Sequence, residues 1–220
     1  MKVEYIDHMG DDLSVVNAAR VSFDKESELD YNEPKSVGYL KEADRKLISY
    51  LATHGHWSPF AHTSVSFRFK APIFVARQLH KHQVGMTVNE VSRRYVKAAP
   101  ELWWPEKWRK AAENVKQGSS EEEFIPTETL KGAMNDVAYT VNIDYKELLK
   151  QGLCPEQARM FLPLNVMTEW IWTGSLYAWA RVWKQRTYPT AQKETQDCVK
   201  LIGPTMERLF PVSWAALIKE

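Results

Sequence analysis

The chain has 220 residues, of which 44% are hydrophobic and 26% charged, with 29 basic residues against 28 acidic ones for a formal net charge of +1. This length suits one domain over residues 1–220 with a substantial core, and the charge balance argues against a nucleic-acid partner, since a duplex binder carries a broad basic field while a local basic pocket remains compatible. With no apolar stretch of signal-peptide or bilayer-spanning length, the expectation is a soluble, cytoplasmic protein with no membrane partner.

In chain order, Asp11 or Asp12 can cap a short helix through Ala19 with Leu13, Val16 and Ala19 on its apolar face. Ser27 to Gly38 is polar, contains Pro34 and reads as a loop. Leu47, Ile48 and Leu51 give helical spacing from Glu42 to His54, with Gly55 placed as its C-terminal cap. Val65, Phe67 and Phe69 alternate with Ser64, Ser66, Arg68 and Lys70, the pattern of a half-buried strand. Pro72 then opens a helix that buries Ile73, Phe74, Val75 and Leu79. Pro100 to Glu106 is irregular, and QGSSEEE marks a polar turn before a helix from about Thr127 to Lys150. A further helix begins at Pro155 and breaks near Leu162-Pro163. Val166 to Gln185 reads as one long helix whose Trp170, Trp172, Trp179 and Trp183 belong to the core or a subunit interface rather than to a base-stacking platform. Ala191 to Phe210 reads as the last major helix.

The densest chemistry lies between Gln78 and Tyr95, QLHKHQVGMTVNEVSRRY. The helix begun at Pro72 carries Gln78, Lys81 and His82 toward its end, where they can converge on one ligand. The NEVSRRY run alternates too weakly to define a strand, but it adds Glu90, Ser92, Arg93 and Arg94. Two guanidinium forks beside a hydroxyl suit phosphate oxygens, and the competing reading is a solvated, charged helix end. Elsewhere, His54, His56 and His62 lack helical His-x-x-x-His spacing and a clear acidic partner, so no metal site is expected. Only Cys154 and Cys198 occur, which makes a disulfide framework improbable. Cys154, before Pro155 at a helix start, is the better placed for a lowered thiol pKa, but ordinary packing is favoured for both.

The segment Lys81-His82-Gln83 followed by Asn89-Glu90-Val91-Ser92-Arg93-Arg94-Tyr95 resembles the signature of the flavin-dependent thymidylate synthases, Arg-His-Arg and then Asn-Glu-x-Ser-x-Arg-Tyr. DDLSVVNAARVSF, HGHWSPFAH, KAPIFVARQ and ARMFLPLN resemble further segments of that family in the same order. The sequence departs from the pattern at Lys81 and Gln83, which replace arginines, and in a spacer before Ser92 that is one residue longer than usual. Ala61 replaces an acid, Thr190 stands where a histidine is common, and Ser175 and Arg181 stand where flavin-contacting asparagines are common.

The resemblance implies an α+β subunit, with helices packed on a mostly antiparallel sheet, in a homotetramer whose active sites draw on several chains. It implies FAD-dependent reductive methylation of dUMP to dTMP, with 5,10-methylenetetrahydrofolate as carbon donor and NADPH as reductant. No catalytic cysteine is required. Carried over residue by residue, Gln78, Leu79, His80, Lys81, Glu90, Val91, Ser92, Arg93, Arg94 and Arg159 hold the nucleotide. Arg186 sits against the pyrimidine edge as the catalytic cation. His56, Ser58, Lys81, His82, Gln83, Glu90, Ser175, Tyr177 and Arg181 fall on the flavin side. Two alternatives stay open: modification of another pyrimidine deoxynucleotide such as dCMP, and a nonenzymatic nucleotide-binding module.

Overall fold

The structure, a computed structural model, describes residues 1–32, 38–113 and 118–219. Pro34 of the expected Ser27–Gly38 loop and Gln117 of the expected polar turn lie outside them. Four antiparallel strands form the main sheet in the order β1-β2-β6-β3: β1 (Lys2–Met9), β2 (Ser64–Pro72), β6 (Met167–Ser175) and β3 (Met86–Glu90). A hairpin of β4 (Arg109–Ala111) and β5 (Ser119–Glu123) stands apart. Around the sheet lie α1 (Asp12–Arg20), α2 (Glu42–Thr53), α3 (Ile73–Leu79), α4 (Glu128–Tyr139), α5 (Tyr145–Lys150), α6 (Pro155–Ala158), α7 (Leu176–Arg186), α8 (Lys193–Lys200), α9 (Gly203–Leu209) and α10 (Pro211–Ile218). This is the expected α+β architecture with an antiparallel sheet.

The period-2 pattern of β2 buries Val65, Phe67, Phe69 and Ala71 and leaves Arg68 exposed. β6 supplies Trp170 and Trp172 to the same buried face, opposite Phe69 and Phe67. Trp179 of α7 closes over them, 4.9 Å from the Trp172 ring and stacked on Phe69 at 6.1 Å, while its Nε1 donates to the Val65 carbonyl at 3.0 Å. An indole buries roughly 150–250 Å², worth about 4–6 kcal/mol of transfer free energy at ~25 cal/mol/Å². These three rings therefore fix how α7 sits on the sheet. A second anchor is Asp12, whose carboxylate accepts from the Val212 and Ser213 backbone N–H groups, each at 2.8 Å, and so ties α1 to the start of α10.

The helix expected over Val166–Gln185 is instead strand β6 followed by α7. Glu169, Ile171 and Thr173 alternate with buried Trp170, Trp172 and Gly174, and Ser175 then caps α7 by accepting from Ala178 N at 3.2 Å. The helix expected over Ala191–Phe210 is broken into α8 and α9, because Pro204 sits in the first turn of the latter. SSEEE forms β5 rather than a turn, since its hairpin partner β4 pairs with it. The helix from Thr127 to Lys150 holds, with Thr127 as cap and a π-helical turn at Thr140–Asp144 between α4 and α5. The break before Pro163 also holds. The tryptophans are core residues as expected, Trp170, Trp172 and Trp179 fully so, while Trp183 packs 5.5 Å from Trp214.

Candidate active site

β2 runs directly into α3, so the sheet delivers the end of α3 and the turn after it to the start of β3. Gly85 makes that turn possible. Its φ is +74°, and a Cβ there would lie 3.1 Å from both Ala178 Cβ and Ser175 Oγ at the start of α7. Strand β6 runs just as directly into α7, whose far end brings Arg186 back against the α3 terminus. The result is a cleft of about 240 Å³ lined by Lys81, His82, Gln83, Val84, Ala178, Arg181, Gln185 and Arg186.

Arg186 is held at two points. Its Nε donates to His82 Nε2 at 2.8 Å and its Nη2 to the Gln78 carbonyl at 3.1 Å. An arginine Nε–H can only donate, so His82 Nε2 accepts and the imidazole proton resides on Nδ1. Burial, with Arg186 and Arg181 adding to it, pushes the His82 pKa down to about 4. At neutral pH the cleft thus offers a neutral N–H donor among Lys81, Arg181 and Arg186.

The other signature residues make separate contacts at and after the end of β3. Glu90 accepts from Thr168 Oγ1 at 2.6 Å, and its other oxygen lies 3.8 Å from His80 Nδ1. Arg94 Nε donates to the Glu156 carboxylate at 2.5 Å, while Arg159 Nε donates to the Glu156 backbone carbonyl at 3.3 Å, so both bond the same residue of α6 through different groups. Arg186 shares no hydrogen-bond partner with them among the described residues. Arg93, its pKa lowered by burial, donates to the Ala98 carbonyl at 2.7 Å. Val91 N donates to Glu169 O at 2.9 Å, and Ser92 Oγ accepts from Arg94 N at 3.3 Å.

The remaining expected residues divide by burial. Leu79 is fully buried in the core, which leaves only its backbone for a ligand. His80 packs edge-on against Trp170 at 5.1 Å. His56 and Ser58 are exposed, and the intervening Trp57 lies 6.2 Å from Tyr177, linking this segment to α7. His54 stacks on Tyr50 at 4.0 Å. Cys154 is exposed, whereas burial pushes the Cys198 thiol up to about 12. Sequence reasoning missed Gln185 in the cleft and Glu156 beside the arginines; only the acid's position at the start of α6 signalled the latter.

A cleft of this kind suits an anionic ligand rich in acceptors. A flavin dinucleotide, with ring carbonyls and a diphosphate, fits the donor set, but a cavity of this volume falls below the roughly 300–1,000 Å³ of enclosed ligand sites and can hold only part of one. Fold and site together define an α+β protein with a basic, donor-lined cleft between the α3 turn and α7. The family model described as thymidylate synthase complementing protein matches residues 4–212. A flavin-dependent thymidylate synthase of Thermus thermophilus is 38% identical over 214 residues, covering 97% of this chain and 74% of that protein. The flavin-dependent thymidylate synthase of Thermotoga neapolitana is 35% identical over 220 residues, covering 99% and 90% respectively. The crystal structure of a UMP/dUMP methylase, PolB from Streptomyces cacaoi, bound with 5-Br dUMP, superposes with a TM-score of 0.79 at 28% identity, covering 98% of this chain and 93% of that one. The chain belongs to the flavin-dependent thymidylate synthase family, a family of methyltransferases.

Proposed function

We propose that the protein reductively methylates dUMP to dTMP, with FAD as bound cofactor, 5,10-methylenetetrahydrofolate as carbon donor and NADPH as reductant, so that tetrahydrofolate and NADP⁺ leave as by-products. Family membership and the likeness to a UMP/dUMP methylase support this reading. The observation that carries it is the two-point seating of Arg186 in a cleft built from the signature turn and α7. A fixed guanidinium there can stabilise negative charge as it develops on N3 and O4 of the pyrimidine, which promotes attack from C5. Bound FAD would relay reducing equivalents. Lys81, His82, Gln83 and Arg181, with His56, Ser58, Ser175, Tyr177 and Glu90, would orient it. Ser92, Arg93, Arg94 and Arg159, with Gln78, Leu79, His80 and Val91, would hold the nucleotide.

The protein would act as a homotetramer in which several chains complete each site; a cleft smaller than a whole flavin dinucleotide supports contributions from other chains. Among the described residues no helix is long and apolar enough to cross a membrane, which is in keeping with work in the cytoplasm on soluble substrates. The test is product analysis after incubation with FAD, NADPH, methylenetetrahydrofolate and, in parallel, dUMP, dCMP or UMP. The expected product is dTMP from dUMP, and methylated dCMP in its place would reassign the substrate. The UMP arm follows from PolB, which is described as acting on both UMP and dUMP. The protein would use UMP as a second substrate if 5-methyl-UMP formed at a comparable rate.

A further inference from the structure

Gln78 belongs to the nucleotide-binding set of the proposed function, yet both ends of its side-chain amide are already engaged by α8 and the residue before it. Its Nε2 donates to Gln192 Oε1, and its Oε1 accepts from Thr195 Oγ1 at 3.1 Å. Gln192 in turn donates its Nε2 to Glu194 Oε2 at 2.9 Å, and the other Glu194 oxygen accepts from Arg109 Nη2 at 2.6 Å. Arg109 comes from β4, where its Nε also donates to Ser119 Oγ at 2.6 Å across the hairpin.

The direction of every bond in this chain follows from one charge. An ionised Glu194 can only accept, so Gln192 must turn its NH₂ toward it and its oxygen toward Gln78. Gln78 must then donate to Gln192 and present its own oxygen to Thr195, whose hydroxyl donates. Glu194 is buried, which works against its charge, but hydrogen bonds from Arg109 and Gln192 outweigh that and hold its carboxyl below the ordinary value. Thr195 is fully buried, so its hydroxyl has no solvent to turn to. The amide of Gln78 is thereby locked, and its backbone carbonyl is the group that receives Arg186 Nη2.

We propose that Gln192, Glu194 and Thr195 are positioning residues that use the Gln78 side chain as a strut to aim Arg186, so that Gln78 acts through its carbonyl and not as a side-chain ligand of the nucleotide. The inference rests on the proposed catalytic role of Arg186. A group that stabilises charge only in the transition state must be held within about 0.5 Å of its working position, and loss of such alignment lowers kcat more than it raises KM.

The test uses the flavin-loaded enzyme and the variants Gln192→Ala, Thr195→Val and Thr195→Ser. Gln192 is exposed, so its replacement leaves the core intact. The expected result is about a tenfold loss of kcat for Gln192→Ala and Thr195→Val with KM for dUMP changed less than about twofold, and recovery of most of the rate in Thr195→Ser, which keeps the donor. Crystal structures of the ligand-free variants should show Arg186 displaced from the Gln78 carbonyl. Arg186 unmoved in both variants would overturn the inference whatever the activity. So would a loss confined to KM, the mark of a Gln78 amide that binds nucleotide directly. If the parent protein makes no methylated product but Arg186 shifts in the variants, the strut stands and the proposed reaction falls.

Discussion

His82 offers the sharpest physical test of the cleft. Its ring is half-buried beside the Arg181 and Arg186 guanidinium groups, and its Nε2 is committed to accepting from Arg186. Displacement of its pKa from 6.5 to about 4 corresponds to about 3 kcal/mol if fully felt, and because the ring keeps contact with water, screening reduces this to roughly 1–2 kcal/mol. Between pH 4 and 6.5 the unfolded chain binds a proton at this residue that the folded chain refuses. Stability therefore rises with pH across that window, is level above it, and is lost as pH falls. The perturbation is Arg186→Ala, which removes one cation and the Nε2 donor but leaves burial, the largest cause, and Arg181 in place. Imidazole ¹⁵N resonances followed against pH should give a His82 pKa near 4 with the proton on Nδ1 in the parent protein, and a value raised partway toward 6.5 in the variant. An ordinary histidine titration in the parent, or a proton on Nε2 at neutral pH, would refute the reasoning.

Arg186→Ala should also lower the methylation rate by at least about 100-fold while leaving bound flavin unchanged, as loss of a transition-state donor does; unaltered turnover would remove the electrostatic role. Arg94→Ala should weaken dUMP binding more than it alters the flavin spectrum, which titration of the holoenzyme with dUMP reads directly. Asp12→Ala strips charge-assisted hydrogen bonds from the half-buried Val212 and buried Ser213 backbone donors and should cost about 2–4 kcal/mol in urea unfolding. Asp12→Asn, which keeps an acceptor, should cost less.

The sequence revealed the parts of the fold with a strong period. Alternation in β2, the spacing of α2 and the capped start of α4 each announced their element. β1 went unseen because it is an edge strand exposed along most of its length, so it carries no apolar repeat. β6 reads as helix although Trp170, Trp172 and Gly174 alternate with Glu169, Ile171 and Thr173, because the tryptophans of α7 follow without a proline or a loop between. Pro204, which divides α8 from α9, is a break legible in the sequence.

The site divides in the same manner. Gln78, Lys81, His82 and Gln83 share one short stretch and could be grouped from spacing, but nothing local ties them to Arg186, which arrives only because the three buried indoles seat α7 on the sheet. Family resemblance supplied that connection. It did not show that Arg94 bonds the Glu156 carboxylate or that the Gln78 amide is engaged by α8, since both depend on side chains from distant elements.

The most direct measurement is a single turnover. Protein loaded with FAD is reduced anaerobically by NADPH, then mixed with dUMP and methylenetetrahydrofolate, and the flavin absorbance and the nucleotide are followed together. The account predicts reoxidation of the flavin only when both substrates are present, with one dTMP formed per flavin reoxidised. A protein that binds no flavin, or whose reduced flavin reoxidises without forming dTMP, would contradict it.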